Sequence, residues 1–323
     1  MPIHPAVAAK FDLLAGIPSF EALLTDPGLQ ERFEQFAGAG LGQEPPVVAT
    51  RMDAAPGPHG PVPVRVYLPD VVGDRPCLVW MHGGAFRAGD LDMPEADWVA
   101  RELCTRVGAL VVSVDYRLAV GGITYPVPHD DVVAAVRWVR DSADGLGVDA
   151  GRISVGGASA GANLAAGATL RLRDDDAWQP ANLILGYPVV HAVLPPPPPS
   201  LTALMTDVPR ILHFPPDTRH ELTTNYLGGP ESRADGYAMP ALAVLGGLCP
   251  TLILNAEYDD LRVSGQAFAA ALAEAGVDER QVQVKTMLHG FLNLPSAIEP
   301  VGQALDLIAD VVVARALVGT ETA

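Results

Sequence analysis

The amino-acid sequence predicts a doubly wound α/β fold with a mostly parallel sheet, and three observations support this prediction. First, the chain has 323 residues, of which 49% are apolar and 18% are charged, and this is enough to bury a large core. Second, from Cys77 onward several short apolar runs are unbroken, as expected for strands buried on both faces. Third, these runs alternate with longer amphipathic stretches, which favours parallel strands joined by crossover helices.

The segment before residue 45 is predicted to form short helices that precede the main fold. Its apolar residues recur at helical spacing, and Pro18 and Pro27 interrupt the pattern. The next two runs, 47–52 and 62–68, are of β type and are separated by a segment rich in glycine and proline. Two strands separated by such a turn indicate a hairpin, which we expect at one edge of the sheet.

The rest of the predicted core alternates between strands and helices. The predicted strands occupy residues 77–81, 109–114, 153–155, 183–185, 251–254 and 282–287. The predicted helices occupy residues 96–107, 130–142, 163–173, 265–275 and 301–317.

One stretch, residues 191–248, interrupts this alternation. It holds five consecutive prolines at 195–199 and further prolines where a single crossover helix would be expected. Insertions between the strands of such folds commonly lie over the carboxyl edge of the sheet, where ligands bind. We therefore expect a cap made of residues 1–44 and 191–248, and a core made of residues 45–190 and 249–323. The prolines predict a stiff loop entering the cap, with a polyproline recognition segment as the alternative.

Composition and charge exclude several classes of partner. Because 38 acidic residues against 21 basic residues give a formal net charge of −17, we expect no nucleic acid and no anionic membrane as partners. The sequence shows neither an export signal nor an apolar run long enough to span a membrane, so we expect a cytoplasmic protein. Cys77, Cys104 and Cys249 lack metal-ligand spacing and are expected to be buried thiols. The sequence leaves a homodimer open.

A serine between glycines follows one predicted strand. Gly157, Ser159 and Gly161 lie where the run 153–155 gives way to the helix 163–173. A sharp turn between strand and helix, closed by small residues, is the setting of a nucleophile elbow, so we predict Ser159 as a nucleophile. The alternative is a small-residue turn that only packs the helix against the sheet.

Small residues also follow the strand at 77–81. Gly83, Gly84 and Ala85 come after His82 and leave main-chain N–H groups able to bind an oxyanion. The N–H of Ala160, directly after the serine, would be a further donor at the start of a helix. Taken alone, this segment would be an ordinary tight turn.

An acid and a histidine complete the predicted site. Asp259 and His289 follow the strands at 251–254 and 282–287, so we expect them at the same sheet edge as Ser159. The chain order Ser, Asp, His is that of α/β hydrolases and differs from the orders of chymotrypsin and subtilisin. Glu257 and Asp260 are the alternative acids for orienting the histidine.

Together these motifs resemble the bacterial hormone-sensitive lipase family of α/β hydrolases, the carboxylesterases with an HGG-type oxyanion motif. The resemblance rests on residues 82–86 with 89–90, 115–119, 157–161 with 163–165, 257–262 and 289–291. It implies an α/β-hydrolase fold, a helical cap and a serine esterase that needs no cofactor. The sequence departs from residues common in that family at Ala85, Ala158 and Asp260. It also departs after the motif at 115–119, where residues 120–126 stand in place of the family's usual Pro-Glu.

The resulting prediction is hydrolysis of small carboxylic esters, with short to medium acyl chains, through an acyl-enzyme. Amide hydrolysis or acyl transfer with the same triad is the nearest alternative. A ligand receptor on the same scaffold, without catalysis, is the alternative from another class. His213, Asp217 and His220 have spacings that could bind a metal, but no third strong ligand converges and we predict no metal site.

Overall fold

The computed structural model describes residues 2–37, 43–71 and 73–314. Its eight strands are β1 (Ala49–Ala55), β2 (Val62–Leu68), β3 (Arg75–Met81), β4 (Leu110–Val114), β5 (Val148–Ala158), β6 (Leu183–Gly186), β7 (Thr251–Tyr258) and β8 (Glu279–Leu288). They form one sheet in the order β1-β2-β4-β3-β5-β6-β7-β8. The pairs β1/β2 and β2/β4 are antiparallel, and the other five pairs are parallel. The predicted fold class and the edge hairpin are therefore confirmed.

Helices cover both faces of this sheet. They are α1 (Pro5–Ala8), α2 (Phe20–Thr25), α3 (Pro27–Ala37), α4 (Pro94–Val107), α5 (Val127–Asp141), α6 (Ala143–Leu146), α7 (Ala160–Asp176), α8 (Pro199–Met205), α9 (Pro216–Leu227), α10 (Arg262–Glu274) and α11 (Glu299–Val313). One buried cluster packs α5, α7 and α10 against the sheet, and the other packs α4, α11 and N-terminal residues against the opposite face. Because the central strands are buried on both sides, they contain short unbroken apolar runs, such as 77–81 in β3 and 183–185 in β6.

All predicted strands and core helices exist, but several boundaries differ. The strand predicted at 153–155 extends over Val148–Ala158, and the strand predicted at 282–287 begins at Glu279. Both extensions contain polar residues that are partly exposed, and an apolar run does not mark them. Helix α5 begins three residues early because Pro128 is compatible with a first helical turn. The helix predicted at 301–317 ends at Val313, and residues 315–317 lie outside the described part of the chain.

The insertion at 191–248 contains two helices, α8 and α9, and three short 3₁₀ helices. Residues 195–198 form a connection without regular secondary structure, and the fifth proline, Pro199, begins α8. Within residues 2–37, α1, α2 and α3 pack with a 3₁₀ helix at Phe11–Leu14. Among the described residues, no helix has both the length and the apolar character that a membrane span requires.

The parallel register brings the ends of six strands, β3 to β8, to one edge of the sheet. Met81 of β3 pairs with Gly157 of β5, and Ala158 pairs with Gly186 of β6. At the other side, Tyr258 of β7 pairs with Leu288 of β8. The residues that immediately follow these strand ends are therefore close together in space, although they are far apart in the sequence.

Candidate active site

Ser159 lies on a strained turn between β5 and α7. Its φ and ψ angles are 54° and −116°, a main-chain conformation that residues other than glycine rarely adopt. Its N–H donates to the carbonyl of Gly186 at 2.8 Å, which fixes the turn to the neighbouring strand. The strain places the hydroxyl at the start of a helix of 17 residues, whose N-terminus favours negative charge.

The glycines on either side of Ser159 are required by close approach of the main chain. A Cβ atom on Gly157 or on Gly161 would collide with the carbonyl oxygen of Met81 at the end of β3. Two strand ends and a helix meet at this point, so only hydrogen atoms fit between them. The Gly-x-Ser-x-Gly pattern of the sequence thus has a steric cause in this chain.

The structure brings Ser159, His289 and Asp259 into one hydrogen-bonded line. Nε2 of His289 lies 2.9 Å from Oγ of Ser159, and Nδ1 of His289 lies 2.8 Å from Oδ2 of Asp259. Asp259 also accepts the N–H of Leu261 at 2.8 Å, and its side chain is fully buried. A hydroxyl, an imidazole and a carboxylate in this order can transfer the hydroxyl proton to the imidazole and stabilise the resulting positive charge.

The environment of His289 favours its protonated form. Burial alone would lower its pKa, but the charge of Asp259 and the hydrogen bond to it raise the pKa above its usual value. Two aromatic rings meet the imidazole edge-on, Tyr187 at 4.8 Å and Phe214 at 4.9 Å between ring centroids. These rings fix the orientation of the imidazole as Asp259 does.

The two alternative acids of the sequence analysis have other partners. Oε2 of Glu257 accepts the N–H of Thr286 at 2.8 Å, on β8 three residues before His289. Oδ2 of Asp260 accepts the N–H of Phe214 at 2.9 Å, in the inserted segment. Neither Glu257 nor Asp260 makes the hydrogen bond to His289 that Asp259 makes.

The loop after β3 places small residues beside Ser159, but one of them is already bonded. Gly84, Ala85 and Phe86 all have positive φ, at 105°, 54° and 63°, so the loop is held in an uncommon conformation. The N–H of Gly83 donates to Oε1 of Glu95 at 2.5 Å. In this structure Gly83 is therefore not available as an oxyanion donor, and the N–H groups of Gly84, Ala85 and Ala160 are the candidates.

Glu95 is a site residue that the sequence analysis missed. This carboxylate lies on α4, is 2% exposed, and accepts hydrogen bonds from Gly83, from the hydroxyl of Tyr187 at 2.6 Å and from the amide of Asn293 at 3.1 Å. These donors come from the loop after β3, the end of β6 and the segment after His289. Burial raises the pKa of Glu95, and the donated hydrogen bonds oppose that effect. A buried carboxyl group that accepts three hydrogen bonds is a strong anchor for the segments that donate them.

Replacement of Glu95 by glutamine should loosen the loop after β3. One of the three donors would then face the amide NH₂ group. We expect the free energy of unfolding to fall by about 1–3 kcal/mol. We expect kcat for an ester to fall on the order of tenfold, because oxyanion donors must be held in place. Steady-state kinetics and thermal melts measure both effects.

Glu102→Gln is a matched control for this variant. Glu102 is also a buried carboxylate on α4, and it bonds Arg106 and Ser296 instead of the loop after β3. We expect a loss of stability with kcat unchanged. If Glu95→Gln leaves kcat at the level of Glu102→Gln, Glu95 has only a structural role.

His82 supports the same loop and is not aligned for proton transfer to Ser159. Its ring stacks on Tyr116 at 4.5 Å, and its Nδ1 lies 2.7 Å from the carbonyl oxygen of Gly83. Burial lowers the pKa of His82, so the ring is held neutral. The hydroxyl of Tyr116 donates to the carbonyl of His82 at 2.8 Å, which adds a second contact to this support.

The structure does not bring together the three residues considered as metal ligands. Nδ1 of His213 lies 3.4 Å from Asp260, and Nδ1 of His220 lies 2.9 Å from Glu231. Asp217 lies in the first turn of α9. Across the described residues, no group of three or more His, Cys, Asp or Glu side chains is arranged to hold a metal ion.

Known proteins share this fold and this sequence pattern. Residues 78–293 match the family Abhydrolase_3, described as an alpha/beta hydrolase fold. The carboxylesterase NlhH of Mycobacterium tuberculosis is 38% identical to this chain over 253 residues, which are 76% of each protein. The ethyl acetate hydrolase of Pseudomonas putida is 28% identical over 96% of this chain and 98% of its own length. The hyperthermophilic esterase of the archaeon Pyrobaculum calidifontis superposes with a TM-score of 0.83 at 32% identity, covering 97% of this chain and 98% of that chain.

Proposed function

Because this chain belongs to the hormone-sensitive-lipase-like family of α/β hydrolases and is a carboxylic ester hydrolase, we propose that it cleaves small esters with Ser159, His289 and Asp259 as its triad. The observation that carries this proposal is the line of hydrogen bonds from Ser159 through His289 to Asp259, at 2.9 Å and 2.8 Å. The three groups occur at strand ends that the sheet register brings together.

The proposed reaction proceeds through an acyl-enzyme. Oγ of Ser159 attacks the acyl carbon while its proton moves to Nε2 of His289. The tetrahedral intermediate collapses, and His289 returns the proton to the oxygen of the leaving alcohol. A water molecule then attacks the acyl carbon, His289 accepts its proton, and the carboxylic acid leaves as Ser159 is regenerated. Asp259 holds the imidazole tautomer and stabilises its charged form in both halves.

The proposed oxyanion hole consists of main-chain N–H groups of Gly84, Ala85 and Ala160. Ala160 is the first residue of α7, so its N–H has no acceptor within the helix. Gly84 and Ala85 lie in the loop that Glu95 anchors through Gly83. Donors on a loop and at a helix N-terminus, fixed before substrate binds, stabilise the developing negative charge without reorganisation.

The pH dependence should report the ionisation of His289. The imidazole must be neutral to accept the serine proton, so kcat/KM should fall as the pH drops through its pKa in the free enzyme. Because Asp259 raises that pKa, the acid limb of the profile should lie above the ordinary value of 6.5. Kinetics from pH 5 to 9, with circular dichroism at each pH, measure this. A constant kcat/KM down to pH 5 in a folded protein would contradict the role of His289.

We propose that the substrates carry short to medium acyl chains. The 191–248 insertion lies against the site, since Phe214 contacts the imidazole of His289 with 4.9 Å between ring centroids, and a site covered in this way excludes aggregated lipid. The similarity to an ethyl acetate hydrolase supports the same choice. We expect kcat/KM across p-nitrophenyl esters to peak at a short acyl chain and to fall steeply for long ones.

A series from acetate to palmitate tests this expectation, and the matching p-nitroanilides test the amidase alternative. A preference for long chains, or a rise in rate when the substrate exceeds its solubility, would show that the inserted segment opens onto a lipid surface. Faster cleavage of the anilides, or transfer of the acyl group to an added alcohol in place of water, would favour the alternatives.

We propose a cytoplasmic location for the protein. Its three cysteines are buried and form no disulfide, which supports a reducing compartment.

A further inference from the structure

The carboxylate next to the triad aspartate joins the catalytic edge to the inserted segment. Asp260 follows Asp259 directly, but its Oδ2 atom accepts the N–H of Phe214 at 2.9 Å. The same oxygen lies 3.4 Å from Nδ1 of His213. Two consecutive residues of the insertion therefore meet one carboxylate at the end of β7.

His213 extends this contact further into the insertion. Its second ring nitrogen, Nε2, lies 3.0 Å from the carbonyl oxygen of Val208. The imidazole thus bridges Asp260 and the main chain that precedes the 3₁₀ helix at Arg210–Leu212. The main chain is extended at His213 and reaches α9 through Phe214 and a proline pair. Asp260 and His213 together fix the position at which Phe214 enters the site.

Phe214 is the aromatic neighbour of His289 that the insertion supplies. The two ring centroids are 4.9 Å apart, with an interplanar angle of 68°. The other aromatic neighbour, Tyr187, is 1% exposed, and its hydroxyl bonds Glu95 inside the core. Tyr187 is therefore part of the rigid sheet edge, whereas the position of Phe214 depends on contacts between the insertion and the core.

The side of the site beside His289 is the side of the leaving alcohol. A general acid must lie within hydrogen-bond reach of the oxygen that it protonates. In the proposed reaction His289 protonates the alcohol oxygen, so the alcohol group passes the imidazole and the ring beside it. The acyl group, in contrast, stays attached to Ser159. A ring held against His289 consequently limits the alcohol more than the acyl chain.

We infer that Asp260 is a specificity-determining residue, which holds Phe214 against His289 and so restricts the enzyme to esters of small alcohols. This inference rests on the proposed function and deepens it. Asp260 acts through Phe214 and does not touch the reacting atoms, so it is a positioning residue. Replacement of Asp260 should therefore change the preference among leaving alcohols and should not remove any catalytic group.

The test compares ethyl acetate with cyclohexyl acetate, which differ only in the alcohol. In the parent enzyme we expect a higher kcat/KM for ethyl acetate. Phe214→Ala and Asp260→Ala should each lower this preference by about tenfold, the usual effect of opening an apolar pocket. The ratio for p-nitrophenyl acetate against p-nitrophenyl hexanoate, which differ only in the acyl chain, should stay within about twofold.

Three further variants separate positioning from general damage. The double variant Asp260→Ala/Phe214→Ala should match Phe214→Ala, because the effects of residues that act through one another are not additive. Asp260→Asn keeps an oxygen acceptor for the N–H of Phe214 and should keep the parent preference. Glu231→Ala removes another carboxylate–histidine contact of the insertion, the one with His220, and should also keep it.

The outcomes distinguish this inference from the proposed function. If the parent enzyme hydrolyses these esters but Asp260→Ala leaves the alcohol preference unchanged, the inference is wrong and the function stands. A change in the acyl ratio in place of the alcohol ratio would also overturn it, as would additive effects in the double variant. If the parent cleaves no ester, the proposed function itself fails.

Discussion

Ser159→Ala is expected to lower kcat for p-nitrophenyl acetate on the order of 10⁴-fold or more, because a nucleophile and its base act as a unit. The protein should stay folded. The side chain of Ser159 is largely buried, and alanine at this position removes one hydroxyl from a turn fixed by main-chain contacts. Initial rates with purified variant and a thermal melt measure the two quantities.

Ser154→Ala is the matched control for that variant. Ser154 lies on the same strand, β5, is fully buried, and contacts the side chain of Asn182. We expect kcat within about twofold of the parent and at most a modest loss of stability, because one neutral hydrogen bond contributes about 1 kcal/mol. If Ser159→Ala kept activity within tenfold of the parent, the serine could not be the nucleophile.

Asp259→Asn is expected to lower kcat on the order of 10⁴-fold, whereas Asp260→Asn should change it little. An amide at position 259 would donate toward Nδ1 of His289 where the carboxylate accepts, so the imidazole would be held in the wrong tautomer. At position 260 the amide oxygen can still accept the N–H of Phe214, and no proton transfer depends on it.

The same pair of variants separates charge from position through the pH profile. Because Asp259 raises the pKa of His289, its replacement should move the acid limb of the residual activity to lower pH. Asp260 makes a smaller contribution in the same direction, so its replacement should leave the limb nearly in place. If Asp260→Asn were the more damaging change, the acid of the triad would have been assigned to the wrong neighbour.

The sequence predicted the fold well because the buried strands leave a clear pattern. Central strands such as β3 and β7 are buried along nearly their whole length, and each contains a short apolar run, at 77–81 and 252–254. Polar residues that directly follow the strand ends, as Ser159, Asp259 and His289 do, are brought together by the register of a parallel sheet. A local pattern and one topological rule were therefore enough to propose the site.

The rest depends on contacts that no local pattern encodes. Glu95 follows the start of α4 and is an ordinary acidic residue for a first helical turn, yet it bonds three separate loops. The sequence signal that could have identified Glu95 was its position, shortly after the loop that contains Gly83 and in the first turn of α4. Likewise, the hydrogen bond from the N–H of Phe214 to Asp260 joins residues 46 positions apart in the sequence. The insertion has no periodicity that would predict where it packs on the core.

Reaction with a fluorophosphonate probe shows whether Ser159 is the group that becomes acylated. The protein would be incubated with the probe, digested, and mapped by mass spectrometry, with Ser159→Ala treated in parallel. We predict one labelled peptide, modified at Ser159, with ester hydrolysis lost in proportion to labelling and no label on the variant. Label on another residue, or full ester hydrolysis by a protein that takes up no label, would show that Ser159 is not the nucleophile.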